Sequence, residues 1–191
     1  MIMELEQVNF NMKRTKHNYG TILANDPSIT AWGWVVLDWQ ENIQDLGCIK
    51  TEPSQKKQRI RKGDDTVRRI NEINRVLLRM IKHYNVQYIL SELPHGSQNA
   101  RAAVMIGVVS GIAQTISDTL KIGIEWYSEN DAKKCLFDRK SVSKQEMIVK
   151  IKTLYDVLWT NTKWRDEGIA DALAIHNAAM EMSSTLRLLK K

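Results

Sequence analysis

The chain has 191 residues, 43% of them hydrophobic, which is enough for one domain with a sizeable core. Its formal net charge of +6 favours anionic partners such as nucleic acid, although many basic proteins bind none. Its two cysteines, Cys48 and Cys135, are far apart and form no CxxC pattern, which argues against structural zinc and disulfides and favours a reducing compartment.

The N-terminal residues and the absence of linkers bear on domain organisation. Residues 1–18 are polar, carry Glu4 and Glu6 and lack the apolar stretch of a signal peptide, so we predict an N-terminal arm. No apolar run approaches the ~20 residues that a membrane helix requires, and we expect a soluble cytoplasmic protein without a membrane partner. With only three prolines, no Ser/Gly-rich linker and no internal repeat, residues 19–191 are predicted to form a single domain.

The first half of the domain has the pattern of three strands and a helix. The gaps between the strands are short, which predicts antiparallel pairing. A polar loop at residues 52–63 follows, and Asp64 or Asp65 then caps a helix whose apolar residues recur with the 3.6-residue period. The strands are predicted at residues 20–26, 34–39 and 45–50.

The second half of the domain alternates strands and helices. Two further strands are predicted, each followed by a helix, and two more helices complete the chain. This order predicts an α/β layer structure, with helices flanking a five-stranded mixed sheet whose first three strands are antiparallel. The strands are predicted at residues 86–92 and 122–128, and the helices at residues 98–120, 129–136, 143–158 and from about residue 166 onward.

Three carboxylates stand at the ends of predicted elements. Asp26 ends the first strand, Glu92 ends the fourth, and Asp171 lies one turn into the last helix, four residues after Glu167 on the same helix face. Without Lys or Arg partners such a cluster would need cations, and oxygen-only ligands favour Mg²⁺ or Mn²⁺. Alternatively, Asp26 is a turn residue, Glu92 a surface acid, and Asp171 an acid favoured by the helix dipole.

Four segments of the sequence carry a resemblance to a known family. In chain order they are "ILANDPSITAWGWVVLD", "YILSELPHGSQNARAAVMIGVVSGIAQTI", "YSENDAKKCLFDRKSVSKQEMIVKIKTLY" and "IADALAIHNAAM", within roughly residues 22–180. They resemble, in the same order, the segments of the RuvC-type Holliday-junction resolvases, within the RNase H-like nuclease superfamily. The second segment is the most specific, because it registers without gaps from Glu92 through Asn99 to Gly107 and Gly111.

The resemblance implies an RNase H-like fold, a homodimer and paired symmetric nicks in four-way branched DNA. It also implies two Mg²⁺ or Mn²⁺ ions per active site, which activate a water and stabilise the leaving oxygen, and no small-molecule cofactor. Asp26, Glu92 and Asp171 match three ligand positions of the family. The bacterial pattern commonly has an acid three residues before the last aspartate, where this chain has Gly168. We expect the longer Glu167 to replace that acid, with Asp166 as the weaker candidate.

Several residues match family positions that contact DNA. His95 stands where bacterial members carry an aromatic residue that helps open the junction centre, and it can stack but is smaller and polar. Lys133 and Lys144 line up with basic positions near the scissile phosphate. We predict that Lys144 stabilises charge on the phosphate; alternatively these lysines only hold the DNA backbone through counterion release. The other predicted DNA contacts are Asn99, Arg101, Lys134, Arg139, Lys140, Lys56, Lys57, Arg59, Arg61 and Lys62.

The helix at residues 98–120 is rich in small residues, including Gly107 and Gly111. Small residues allow close approach of another backbone, which is either the chain's own sheet or, as the resemblance suggests, a second subunit with an identical site.

The sequence therefore predicts a metal-dependent, structure-selective DNA endonuclease that resolves four-way junctions. One alternative is a related nuclease acting on branched DNA or RNA–DNA hybrids. A second is a junction-binding protein with a degenerate acidic site, which Gly168 favours. A third, an actin-like ATP-binding protein, is disfavoured by the short chain and the Gly-poor turn after Asp26. The N-terminal arm, His95 and the shifted acid favour a divergent, phage-encoded version, acting in a bacterial cell, over a housekeeping enzyme.

Overall fold

The structure is a computed structural model that describes residues 20–139 and 141–189; the predicted arm and Lys140 lie outside these residues. Within them, the strands form one five-stranded sheet in the order β3-β2-β1-β4-β5. The strands are β1 (Thr21–Asp26), β2 (Ala31–Asp38), β3 (Ile43–Lys50), β4 (Val86–Glu92) and β5 (Gly123–Tyr127). The helices are α1 (Lys62–Tyr84), α2 (Ala100–Leu120), α3 (Glu129–Phe137), α4 (Lys144–Leu154), α5 (Lys163–Met182) and α6 (Ser184–Leu189).

The pairing confirms the predicted mixed sheet. β1, β2 and β3 are antiparallel, whereas β1 pairs in parallel with β4, and β4 in parallel with β5. The carboxyl ends of β1, β4 and β5 therefore meet at one edge of the sheet. β3 also ends at this edge, because Lys50 at its end pairs with Ala31 at the start of β2. In α/β proteins this carboxyl edge is the usual place for a ligand site.

Helices cover both faces of the sheet. α1 and α2 pack against Leu23, Trp32 and Ile89, which point to one face, and α3, α4 and α5 pack against the alternate residues Val35 and Leu90 on the other. Alternation of side chains along each strand divides the core into these two layers. The second layer is where the acidic residues lie, because Asp26 and Glu92 follow the same alternation as Leu90.

Two predicted helix starts are wrong. α1 begins at Lys62 instead of being capped by Asp64 or Asp65, because Asp64 binds Arg61 at 2.7 Å and Asp65 accepts a hydrogen bond from the Ser54 amide at 3.1 Å. α5 begins at Lys163 instead of near residue 166. In both cases the acid lies inside the first turn and binds the loop before the helix.

Other boundaries differ by a few residues. The second strand begins at Ala31 instead of residue 34, since Trp32 is already buried in the core between the sheet and α1. The third strand begins at Ile43 instead of residue 45. α4 ends at Leu154 instead of residue 158, and extended backbone follows it.

Two helices begin at the carboxyl edge with the same reciprocal cap. Ser128 and Asp131 form a capping box at the start of α3, and Ser143 and Glu146 form one at the start of α4. A capping box fixes the first helical residue, since it satisfies amide groups that the helix itself leaves open. These first residues are Glu129 of α3 and Lys144 of α4, so the backbone of each is held in place at the edge.

α2 is long and apolar enough, by length and composition, to cross a membrane, so the expectation that no such run exists is wrong. The helix packs Val109, Ile112 and Ile116 against the sheet, and 28% of its most apolar segment is buried inside the fold. One face of α2 therefore packs in the core, and the opposite face is exposed.

Candidate active site

Asp26 and Glu92 leave the sheet side by side. Their preceding residues, Asn25 and Ser91, are partners in the parallel β1–β4 ladder, and the buried Asn25 and Ser91 side chains are hydrogen bonded at 3.0 Å. Both acids point to the face covered by α5, where Asp171 lies. The structure thus brings together the three carboxylates that the sequence places at the ends of elements.

Burial and mutual repulsion perturb all three acids. Burial, and then the charge of Asp171, raise the pKa of Asp26 to about 7. Burial, and then the charges of Asp26 and Asp171, raise the pKa of Glu92 to about 9. Among the described residues neither the Asp26 nor the Glu92 carboxylate has a hydrogen-bond or ion-pair partner. Half-buried carboxylates that repel one another in this way are stabilised by protons or by cations.

Lys144 is the nearest cation. Its Nζ lies 2.7 Å from Oδ2 of Asp171, so one of the three acids has a lysine partner. Burial alone would lower the pKa of Lys144, but the contact with Asp171 outweighs it and raises the pKa above its ordinary value. For Asp171 burial dominates and raises the pKa, although Lys144 opposes the change. Lys144 is therefore a protonated amine at the centre of an acidic cluster.

A fourth carboxylate, Glu129, lies in the same cleft and was not singled out from the sequence. Its oxygens lie 2.7 Å from Nζ of Lys133 and 3.6 Å from Nε2 of His95. Its charge contributes to the raised pKa of each of the three acids, Asp26, Glu92 and Asp171. The signal that could have found it is its position directly after β5, the third parallel strand ending at this edge.

Gly168 has no room for the acid of the family pattern. A Cβ on this residue would lie 3.1 Å from Cα of Gly33, because α5 crosses β2 backbone to backbone at this point. Glu167, the predicted replacement, is half-buried, and its charge acts on Asp171 and Lys144.

Asp166, the weaker candidate for the fourth ligand, has a structural role. Its carboxylate accepts hydrogen bonds from the Thr160 amide at 3.2 Å and the Asn161 amide at 2.8 Å, and it lies 3.4 Å from Arg165. These bonds hold the loop before α5, so Glu167 stands as the candidate on this helix.

The cluster fits a divalent cation such as Mg²⁺ or Mn²⁺, since its donor atoms are carboxylate oxygens. The carboxylates of Asp26 and Glu92 have no partner among the described residues. The cleft lined by Glu92, Glu129, Lys144 and Asp171 has a volume of about 10 Å³, room for roughly one water or ion. Among the described residues no group of three or more Asp, Glu, His or Cys side chains is yet drawn together closely enough to hold an ion.

The predicted DNA-contacting residues lie in several separate places. Asn99 caps α2 by accepting a hydrogen bond from the Ala102 amide at 3.1 Å, and with Arg101 it lines an open cleft of about 390 Å³ beside Pro27. His95 lies between β4 and α2 and is exposed. Arg139, before α4, is paired with Glu146 at 2.7 Å.

The basic loop after β3 is the last of these places. Lys57 and Arg59 are exposed there, as is Lys62 at the start of α1, while Arg61 is paired with Asp64. Lys134 is exposed on α3. Lys140 and the side chain of Lys56 lie outside the described part of the chain.

The fold and the site together define a class of protein. A mixed sheet with three antiparallel strands, acids at the ends of β1 and β4 and a further acid on the helix that crosses the sheet are the features of an RNase H-like carboxylate nuclease. Residues 22–178 match the family described as crossover junction endodeoxyribonuclease RuvC, and the chain belongs to this family. Membership confirms the predicted class of enzyme, a junction-resolving endonuclease, and sets aside the actin-like alternative.

Relatives of the chain bear the same description at low identity. Crossover junction endodeoxyribonuclease RuvC of Ehrlichia canis (strain Jake) is 20% identical over 156 residues, 81% of this chain and 92% of the relative. The protein of that name from Desulforamulus reducens is 25% identical over 167 residues, 86% of this chain and 95% of the relative. The chain is therefore a divergent member of the family, as predicted.

Solved structures with the same fold include Thermus thermophilus RuvC in complex with a Holliday junction substrate. This structure matches with a TM-score of 0.66 and 17% identity over 85% of this chain and 93% of that one. The yeast mitochondrial Holliday junction resolvase matches with a TM-score of 0.60 and 11% identity over 90% of this chain and 83% of that one. These matches confirm the predicted RNase H-like fold.

Proposed function

We propose that this protein cuts four-way DNA junctions by paired symmetric nicks and depends on Mg²⁺ or Mn²⁺. The observation that supports the proposal best is the pair Asp26 and Glu92. Both acids are half-buried beside Asp171 at the carboxyl edge, neither carboxylate has a partner among the described residues, and this burial raises the pKa of each. A structural acid would be paired or solvated, whereas acids of a cation site are expected to be left unpaired by the protein.

Asp26, Glu92 and Asp171 would hold two ions per active site, with Glu167 as a further ligand. When bound, the ions supply activation of a water and stabilisation of charge on the leaving oxygen. The chain's own part is electrostatic: the acids lose their protons as cations replace them, and Asp171 loosens its bond to Lys144. Lys144 has a side chain that is 53% exposed, so its ammonium group is accessible to a DNA phosphate and stabilises negative charge there.

The DNA lies along the carboxyl edge in this proposal. Basic side chains there bind phosphates and give affinity without sequence readout, so junction shape and deformability select the substrate. His95 stacks near the junction centre, and Asn99 and Arg101 contact the strand that passes the cleft beside Pro27. The remaining phosphate contacts are Lys133, Lys134, Arg139, Lys140, Lys56, Lys57, Arg59, Arg61 and Lys62.

A homodimer would supply the second active site. Gly107 and Gly111 lie one turn apart on the face of α2 turned away from the sheet, and a Cβ on either would meet no heavy atom of the described chain within 4 Å. Val104 on the same face is exposed. A second copy of this face fits such a flat, small-residue surface, and a two-fold dimer presents two identical sites, which paired nicks require.

The proposed setting is the bacterial cytoplasm. The two named relatives come from bacteria, and the low identity to them accords with a phage-encoded enzyme.

Cleavage of four-way junction, fork, flap and RNA–DNA hybrid substrates tests the proposal. We expect symmetric nicks in the junction, leaving 5′-phosphate and 3′-hydroxyl ends, and slower or no cleavage of the others. Equal activity on all substrates, or preference for the hybrid, would contradict it. Binding of junctions without nicking in either Mg²⁺ or Mn²⁺ would favour the second candidate, a catalytically degenerate junction-binding protein. The glycine at position 168 is the specific observation that favours that candidate.

A further inference from the structure

Glu129 enters the acidic cleft from a different helix than Glu167, the other candidate for an additional ligand. It is the first residue of α3, directly after β5, and it shares the cleft with Glu92 and Asp171. Glu167, by contrast, is on α5, and its charge acts on Asp171 and Lys144. Glu129 therefore joins the cluster from α3, and its charge also acts on Glu92.

Interactions within α3 explain only in part why an acid stands at position 129. An acid in the first turn is favoured by the helix dipole, and Glu129 forms an ion pair with Lys133 one turn later at 2.7 Å. These effects would act equally on a side chain that points to solvent. Glu129 is only 43% exposed and adds a negative charge beside Asp26, Glu92 and Asp171, where it raises the pKa of all three. That arrangement is unfavourable unless a cation joins it.

Two basic side chains, Lys133 and His95, lie beside Glu129 in the metal-free protein. The Lys133 side chain is 14% exposed and contacts one carboxylate oxygen, and His95 lies 3.6 Å from the other oxygen. The capping box of Ser128 and Asp131 keeps the backbone of Glu129 fixed. The capping box leaves the Glu129 side chain itself unbonded, so its carboxylate is held by Lys133 and not by the helix start.

We propose that Glu129 is a carboxylate ligand of the divalent-cation site, on the side of Glu92, and that it replaces the acid for which position 168 has no room. The inference rests on the proposed function, since it assumes a cation site at Asp26, Glu92 and Asp171. It has a consequence for DNA binding: an ion that takes Glu129 would release Lys133 and His95, two predicted DNA contacts beside the cleft.

Titration of the full chain with Mn²⁺ in the absence of DNA, followed by electron paramagnetic resonance, tests the inference without measuring cleavage. Glu129→Gln should weaken Mn²⁺ binding by about 10-fold or more, the range seen when groups that support a metal site are removed. Glu72→Gln is the matched control, because Glu72 is also paired with a basic residue one turn away, Arg68 at 3.3 Å, but lies on α1 outside the cleft. This control should bind Mn²⁺ like the unmutated protein.

A second pair of variants tests whether Mn²⁺ binding can also be tightened. Lys133→Gln frees Glu129 from its competing cation and should tighten Mn²⁺ binding several-fold. Lys134→Gln removes the same charge from an exposed neighbouring position and should have little effect. If Glu129 only anchors Lys133, the two lysine variants will bind Mn²⁺ equally. Should Glu129→Gln fail to fold, Glu129→Asp retains the charge at the helix start and shortens the side chain, and weakened binding is again expected.

Asp26→Asn separates failure of this inference from failure of the proposed function. If Asp26→Asn loses Mn²⁺ binding while Glu129→Gln and Glu129→Asp bind like the control, the cation site stands and Glu129 is not part of it. If Asp26→Asn also binds like the unmutated protein, or the unmutated protein binds no Mn²⁺, the proposed cation site is itself wrong.

Discussion

Gly33 of β2 and Gly168 of α5 touch backbone to backbone. A Cβ on Gly168 would lie 3.1 Å from Cα of Gly33, and a Cβ on Gly33 would overlap the carbonyl group of Gly168. The contact lets α5 lie close to the sheet, and the buried Ala170 and Ala174 extend the close approach along the helix. It also explains why the chain has no acid at position 168, because any side chain there would separate α5 from β2.

The glycine contact predicts that Gly168→Asp destabilises the fold without adding a ligand. Overpacking a site of this kind costs about 1–3 kcal/mol in the free energy of unfolding, which urea denaturation measures. Gly63→Ala is the control, since a Cβ at Gly63 would meet nothing within 4 Å in the described structure and should cost far less. A Gly168→Asp protein with unchanged stability and faster nicking would show that the position accepts an acid after all.

Asp26→Asn should abolish nicking and preserve junction binding. The amide keeps the shape of the side chain but removes the charge that would hold a cation, and even indirect changes at metal sites cost about 10- to 100-fold in activity. Binding should be equal or tighter, because a negative charge near the DNA phosphates is lost. Nicking assays and gel shifts on the same junction measure the two effects. Substantial nicking by Asp26→Asn would remove this residue from the catalytic site.

Lys144→Gln should slow nicking more than it weakens binding. Lys144 approaches Asp171 to 2.7 Å, and in the proposed mechanism its ammonium group would stabilise the charge that develops on the phosphate. If Lys144 only holds the DNA backbone, the variant will instead bind the junction more weakly, and the nicking rate of bound junction will not change. The slope of log affinity against log salt concentration will then fall by about one. Lys134→Gln, an exposed lysine on α3, serves as the reference for a simple loss of charge.

The stability of the metal-free protein should fall as the pH rises. The pKa of Asp26 is raised from 3.8 to about 7 and that of Glu92 from 4.5 to about 9, so the folded state binds their protons more tightly than the unfolded chain. Their contribution is full below the ordinary carboxyl pKa values and is lost as the pH rises through about 7 and then about 9.

Melting temperatures recorded with and without Mg²⁺ across this range test the pH effect. Mg²⁺ should stabilise the protein more at high pH, because it binds the ionised carboxylates. The double variant Asp26→Asn with Glu92→Gln should show a flatter pH profile and little response to Mg²⁺. An identical profile for the double variant and the unmutated protein would mean that these acids are not the cause.

Gly107→Leu should convert a dimer to a monomer without unfolding it. A Cβ at Gly107 would meet no heavy atom within 4 Å beyond its own stretch of α2, so we expect the subunit to accept leucine, whereas a closely packed second copy of α2 would not. Sedimentation velocity gives the oligomeric state, and the melting temperature of the monomer checks the fold. An unchanged dimer would move the interface away from this face of α2.

The fold was largely predictable because its signals are local. Alternating and 3.6-residue hydrophobic periods identify the strands and helices, and short gaps after β1 and β2 imply antiparallel pairing. Boundaries were less predictable where long-range contacts decide them. The bonds of Asp166 to the loop before α5 allow that helix to begin at Lys163, and burial of Trp32 extends β2 to Ala31.

The sequence by itself determined the five-stranded sheet, the family and the acids at the ends of β1, β4 and the last helix, because each is a feature of consecutive residues. Only the tertiary structure decided which groups face one another. It paired Lys144 with Asp171, excluded an acid from position 168 through Gly33, and brought Glu129 into the cleft. These contacts join residues from different elements, and their distances depend on how closely α3, α4 and α5 pack on the sheet, which no local pattern encodes.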